Sequence, residues 1–355
     1  MKRSLVTTSI LWALPIGLAA AATAPFLGEL YFQPSDGVTL RHSLEVQISY
    51  DLDDFEMQAM GQTVGAEESG LDPSEMTGEA DFAFDATEAI ESAERGRTLS
   101  MVRTYGEMTI NGETEDTAEG PNQVRFTWNE DSNSHDVEVL DEDADEEDQE
   151  IASAMLSEDM GLRMVLPDGE VEEGDTWTVT AGAEGVLAMF FPGVRLDGAA
   201  EFAARMAAEE EPEAEAIVLE AAEMLFGAFE DAAIDFTYAG MVEDGEQQVA
   251  QLDMATEFTA SFDPTEMVQR AAATAGEATP EFEGTVEVLL SGAAEGTVFW
   301  NVEANRLHRM ELEGDWTFDV NADLAIIMEG LGEVPMEGIV SFSGTFASAH
   351  DVTEE

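Results

Sequence analysis

The chain has 355 residues, of which 78 are Asp or Glu and 13 are Lys or Arg, a formal net charge of −65. A surface this acidic repels nucleic acid and anionic lipid, which are held by basic patches. With 44% apolar residues the chain still has a core to bury, so it is not a disordered polyanion. The absence of cysteine excludes disulfides, thiolate metal sites and a lipid-modified N-terminal cysteine.

The first 24 residues read as a secretory signal peptide. Met1, Lys2 and Arg3 form a basic start, Leu5 to Leu18 an apolar run too short to span a membrane, and Ala19 to Ala24 a small-residue cleavage region. No later run is long enough to be a transmembrane span. The expected mature protein is therefore exported, periplasmic or secreted. Lys2 is the only lysine. Abundant carboxylates without lysine are what concentrated salt favours, because at 1 M salt the Debye length falls to about 3 Å and repulsion between neighbours fades. A cation store is the second explanation.

Residues 38–52 alternate strictly: Val38, Leu40, Leu44, Val46, Ile48, Tyr50 and Leu52 share one face, Glu45, Gln47, Ser49 and Asp51 the other. A period of two predicts a strand half-buried in an antiparallel sheet, long enough to bend or bulge. Residues 58–80 read as a loop. A strand over 98–110 turns at Asn111-Gly112, a hairpin dipeptide. Val124, Phe126 and Trp128 predict a third strand, Val137 and Val139 its return. Residues 141–150 then carry eight carboxylates in ten positions and are expected to be a solvated acidic loop.

The middle changes character. Residues 198–210 and 212–230 are rich in Ala, Glu, Met and Leu. Ala214, Ile217, Ala221, Met224, Leu225 and Ala228 fall at helical spacing, so two helices are expected. Strands resume at 234–242 and 252–262 around an Asp244-Gly245 turn. Asp263 to Glu266 opens a short helix. Further strands follow at 282–290, 298–302, 310–324 and 340–346, with a tight turn at Asn305.

These elements predict a mainly β fold, a large curved antiparallel sheet or open barrel with a helical middle segment packed on one face or mouth. The chain divides into the signal peptide (1–24), an N-terminal β-rich portion (25–180), the helical middle (181–231) and a C-terminal β-rich portion (232–355). The inward face is expected to bury Val46, Ile48, Phe258, Phe262, Leu312, Trp316 and Phe318.

The run Pro167-Asp-Gly-Glu-Val-Glu-Glu-Gly174-Asp175-Thr176-Trp177 resembles a Pro…Val-x-x-Gly-Asp-x-Trp segment of uncharacterised exported β-rich bacterial proteins, of the domain-of-unknown-function kind. Gly296 to Met310 is similar to the C-terminal strand–turn–strand of the same proteins. The resemblance implies an exported envelope protein and no particular chemistry. A weaker likeness, of architecture alone, is to periplasmic lipoprotein carriers.

No motif points to an enzyme. There is no His-x-x-x-His, no His-Glu-x-x-His, no Gly-x-Ser-x-Gly and no phosphate-binding glycine loop. Paired carboxylates discriminate nothing among 78. Asp141, Asp143 and Asp145 have the one-three-five spacing of a calcium loop, but Glu146 stands where glycine belongs and Ala152 where the closing glutamate belongs. Loose calcium binding is all this spacing supports, and no cofactor is implied. Of the histidines, His42 and His308 fall on apolar faces. They read as satisfied core residues before they read as a metal or ligand pair. The apolar run Val186 to Pro192 reads as a buried edge strand, with a pocket wall as the alternative. The functional reading that follows is an exported acidic envelope protein holding a lipid-like or other apolar ligand in a sheet concavity. A structural or calcium-associated surface protein is the second reading, an unrecognised hydrolase the third. No pattern sets an oligomeric state.

Overall fold

Alternation of the kind seen at 38–52 recurs along most of the chain, and the structure gathers it into one sheet. A computed structural model describes residues 28–59, 62–66, 76–115, 121–210, 214–245, 247–274, 281–328 and 332–355. The expected signal peptide and Pro212 lie outside these residues.

In chain order the strands are β1 (Gly28–Glu29), β2 (Thr39–Ala59), β3 (Gln62–Gly65), β4 (Gly78–Glu94), β5 (Arg97–Ile110), β6 (Glu113–Glu115), β7 (Gln123–Asn129) and β8 (Ser134–Val139). After helix α1 (Glu146–Met155) come β9 (Glu170–Val171), β10 (Thr176–Thr180) and three helices, α2 (Gly182–Ala188), α3 (Leu196–Glu210) and α4 (Ala214–Ala228). The chain closes with β11 (Ala233–Asp244), β12 (Gln247–Phe262), helix α5 (Thr265–Thr274), β13 (Glu281–Asn301), β14 (Arg306–Met328) and β15 (Gly332–Glu354). Among the described residues thirteen strands form one antiparallel sheet, in the order β10-β11-β12-β13-β14-β15-β2-β4-β5-β7-β8, with β3 paired to β2 and β6 to β5. The sheet is open. Pairing of β15 with β2 joins the two β-rich portions into one surface.

The expected elements recur with several corrections. Residues 58–80 are not one loop, since β2 runs on to Ala59 and β3 folds back on it. The strand over 78–94 has no counterpart among the expected elements, because its inward positions include Ala86 and Glu88, which weaken the alternation. Segments 282–290 and 298–302 are one strand, β13. The Gly- and Ala-rich stretch between them looked like a break, but glycine is needed there for clearance: a Cβ on Gly292 would lie 2.5 Å from the Phe258 ring. Only half of the acidic run 141–150 is loop. Asp145 caps α1, accepting from the amides of Glu147 and Asp148, and Asp148 returns the bond in a capping box. Gln149 then bonds the backbone of β8 at both Val137 and Val139, covering that exposed edge as a neighbouring strand would.

Bulges set parity. At Phe299/Trp300 the register slips by one, so Leu307 and Met310 are both buried while His308, expected to share the parity of Met310, is only half-buried beside Asp244.

The core occupies one end of the sheet. Leu40, Ile90, Met101, Phe126, Phe236, Leu252, Trp300 and Met310 enclose Leu30 and Phe32 from the N-terminal segment and Leu162, Val165 and Val171 from the connection before β10. Trp177 stacks on Phe236 and donates its indole N–H to the Val165 carbonyl, anchoring that connection. The long strands β13, β14, β15 and β2 extend past this core. Val46 and Leu312 are buried as expected, but Ile48, Phe258, Phe262, Trp316 and Phe318 are only half-buried.

Candidate functional site

The inward residues of the long strands leave a hollow because large rings stand opposite glycines. Phe258 and Trp316 both face Gly292 across their pairs, and Phe346 faces Gly314. With Ile48 of β2 and Leu290 of β13, these three rings make the floor of an apolar cavity of about 300 Å³. Its roof is Ala183 and Val186 from α2, Phe190 and Phe191 from the turn that follows, Leu225 from α4 and Phe229 beyond it. Phe190 meets Phe346 edge-on at 4.9 Å and Phe229 lies 5.3 Å from Phe258. Among the described residues no charged or polar side chain lines the space. A hollow without polar partners gives water little to bond to and suits an apolar guest, and its volume is at the small end of ligand pockets.

Val186 to Pro192 is thus not the buried edge strand expected from its composition. Gly182, with φ 59°, starts α2, and the run folds as helix and turn. Its apolar residues serve as a pocket wall. The middle helices do cover the sheet: α4 packs on β12 through Leu225 and Phe226, and Ile217, Ala221 and Met224 are half-buried.

Beyond the cavity, the same face continues as a strip of partly exposed apolar side chains: Phe318 and Val320 on β14, Phe342 and Val340 on β15, Leu52 and Phe55 on β2. Tyr50, also on this face, is 36% exposed.

Under the opposite part of the roof segment lies a buried polar chain. His42 Nδ1 and His350 Nε2 are 3.0 Å apart, and His42 Nε2 is 3.1 Å from Glu88. Glu88 accepts two bonds from Arg103, at 2.7 and 3.0 Å. Arg103 also donates to the Ser157 and Glu158 carbonyls at 2.8 and 2.9 Å, and to the Tyr105 hydroxyl. The four residues come from neighbouring strands β15, β2, β4 and β5, and none is more than 4% exposed. Burial by itself would raise the Glu88 carboxyl, but His42 and Arg103 outweigh it and hold the group at about 2. Burial pushes His350 down to about 3, with the repulsion that a proton on His42 would exert adding to it. With one proton on each ring, both contacts can be satisfied in only one way: His350 Nε2–H donates to His42 Nδ1, and His42 Nε2–H donates to Glu88. His350 Nδ1 is then a bare lone pair, and it has no partner among the described residues.

The sequence placed His42 on an apolar face, and it is buried there, but its partner is His350 rather than His308. Arg103 and Glu88 were missed. Each is a charge at a position whose same-face neighbours, Met101 and Tyr105 or Ala86 and Ile90, are apolar or aromatic, and that mismatch was the available signal. The calcium-spaced aspartates do not converge. Asp141 accepts from the amides of Asn122 and Gln123, Asp145 caps α1, and Asp143 is exposed. Among the described residues no three His, Asp or Glu side chains are grouped to hold a metal ion, and no helix is long and apolar enough to cross a membrane. Comparison with protein-family models and with curated proteins finds no match for this chain.

Proposed function

We propose that this is an exported binding protein for a lipid-like, amphipathic molecule, with the apolar chain of the ligand in the cavity and along the strip that leads from it. One observation carries the reading: a wholly apolar hollow shares its sheet face with partly exposed aromatics, Phe318, which pairs with Leu290 of the hollow, and Phe342 beside it. Soluble proteins bury such residues unless something else covers them. A chain-like ligand matches both parts, since it fills the hollow and shields the strip. The opposite face of the strands is acidic: Glu45, Asp253, Glu295, Glu311 and Glu313 line an open groove of about 880 Å³, and their charge supplies solubility in salt.

Native mass spectrometry of protein purified from its producing cells tests this, backed by solvent extraction and lipid analysis. A retained amphiphile, lost when Ala183→Phe fills the hollow, is the expected result. Apo protein that also fails to bind added fatty acids or lysolipids refutes it.

A further inference from the structure

The roof of the apolar cavity is the segment 182–195, and it is fixed at both ends. Ala181 and Gly182 donate to the Ala232 carbonyl. At the other end Ser157 N–H bonds Gly193 O at 2.9 Å, Arg195 N–H bonds Met155 O at 2.7 Å, and Leu156 bridges Val194. This second anchorage rests directly on Arg103, which holds the carbonyls of Ser157 and Glu158. Gly193 lies against the guanidinium so closely that a Cβ there would be 2.8 Å from its Nη1. Arg103 is held in turn by Glu88, and Glu88 by the two histidines.

We propose that the Arg103–Glu88–His42–His350 chain is a proton-sensitive tether, which keeps the roof shut while both imidazoles are neutral and releases it when the chain takes up a proton. With Arg103 positive and Glu88 negative the chain is balanced. One further proton leaves a net positive charge in a site closed to solvent, beside the guanidinium, and an N–H at His350 Nδ1 with nothing to accept it. The charged groups around the chain offer no relief. On the strands these are Glu88 and Arg103, with the Tyr105 phenol. From the roof side, Glu158 is engaged by Arg163 and His135, and Asp159 by Arg163. Arg306, further along, pairs with Glu354. An open roof lets water reach the chain, so acid favours the open state. This rests on the ligand reading only for its purpose, which is release of the bound molecule as pH falls.

The test is hydrogen exchange at 2 M salt, corrected for intrinsic rates, together with imidazole NMR of the four histidines. If the chain takes up one proton near 6.5 when open and none when closed, protection of residues 182–195 falls roughly 25-fold between pH 7 and pH 5. Strands β12 and β13 keep theirs. In His350→Gln, which retains a donor to His42 but loses the titrating ring, the fall is largely abolished. Binding of the neutral probe N-phenyl-1-naphthylamine weakens in step with roof opening in the wild type. Equal protection at both pH values, or two buried histidines titrating near 6.5 with the roof unmoved, overturns the proposal. If His350→Gln does not fold, the wild-type NMR and exchange data decide alone. A probe that binds equally at both pH values removes the tether and spares the ligand site. A roof that responds in a protein that never binds the probe removes the ligand site and spares the tether.

Discussion

Replacing Glu88 by Gln keeps the shape of the side chain and removes its charge, which makes it the sharpest probe of the buried chain. The carboxylate accepts three bonds, two from Arg103 and one from His42. The substituted amide can still accept from Arg103 through its carbonyl, but its nitrogen then points an N–H at the N–H of His42. Relieving that conflict turns the His42 tautomer over and drives a proton onto His350 Nδ1, where no acceptor stands among the described residues. The larger cost is Arg103, fully buried and now without a counter-charge. Breaking a buried pair in this way costs about 3–5 kcal/mol. Urea denaturation in 2 M NaCl, followed by tryptophan fluorescence, should show the midpoint falling by more than about 1 M. The double variant Glu88→Leu/Arg103→Met removes both charges and should cost clearly less than the sum of the single changes. Its residual loss comes from the Ser157 and Glu158 carbonyls that lose their donor. Should Glu88→Gln lie within about 0.5 kcal/mol of wild type, water reaches the guanidinium and the chain is not the closed, dry network described.

Other expectations follow from the same geometry. His350 is held at about 3, below its unfolded value near 6.5, so the unfolded chain takes the proton first as pH falls. The stability tied to it is present above about 6.5 and lost on the way to 3. Glu88, held at about 2 against 4.5, loses its share between those values. His350→Gln should therefore flatten the acid limb of a stability–pH curve, and an unchanged limb would count against this assignment. Phe126, fully buried, should cost about 3–5 kcal/mol on truncation to Ala. Phe342, half-buried in the strip, should cost clearly less, and equal losses would show that the strip is packed. Surface charge predicts a melting temperature that rises between about 0.05 and 2 M NaCl, measurable by calorimetry; a flat response would remove the salt-adaptation reading.

Period-two alternation determined most of the sheet, because the sheet interior and its surroundings act on successive side chains in opposite ways. Residues 38–52, 252–262 and 310–324 carry that signal strongly, and all three are strands. The turns at Asn111-Gly112, Gly245 and Asn305 were legible too, since each takes a positive φ that few other residues tolerate. What the sequence could not supply was which strands meet. The pairing of β15 with β2 joins segments from opposite ends of the chain, and it alone brings His350 to His42. Alternation also assigns a face without saying whether anything covers it. Trp316 and Phe318 are inward by pattern, yet only half-buried because the core fills just one end of the long strands. The cavity depends on rings standing opposite glycines on neighbouring strands, a matter of register, and register is fixed only when the whole sheet forms.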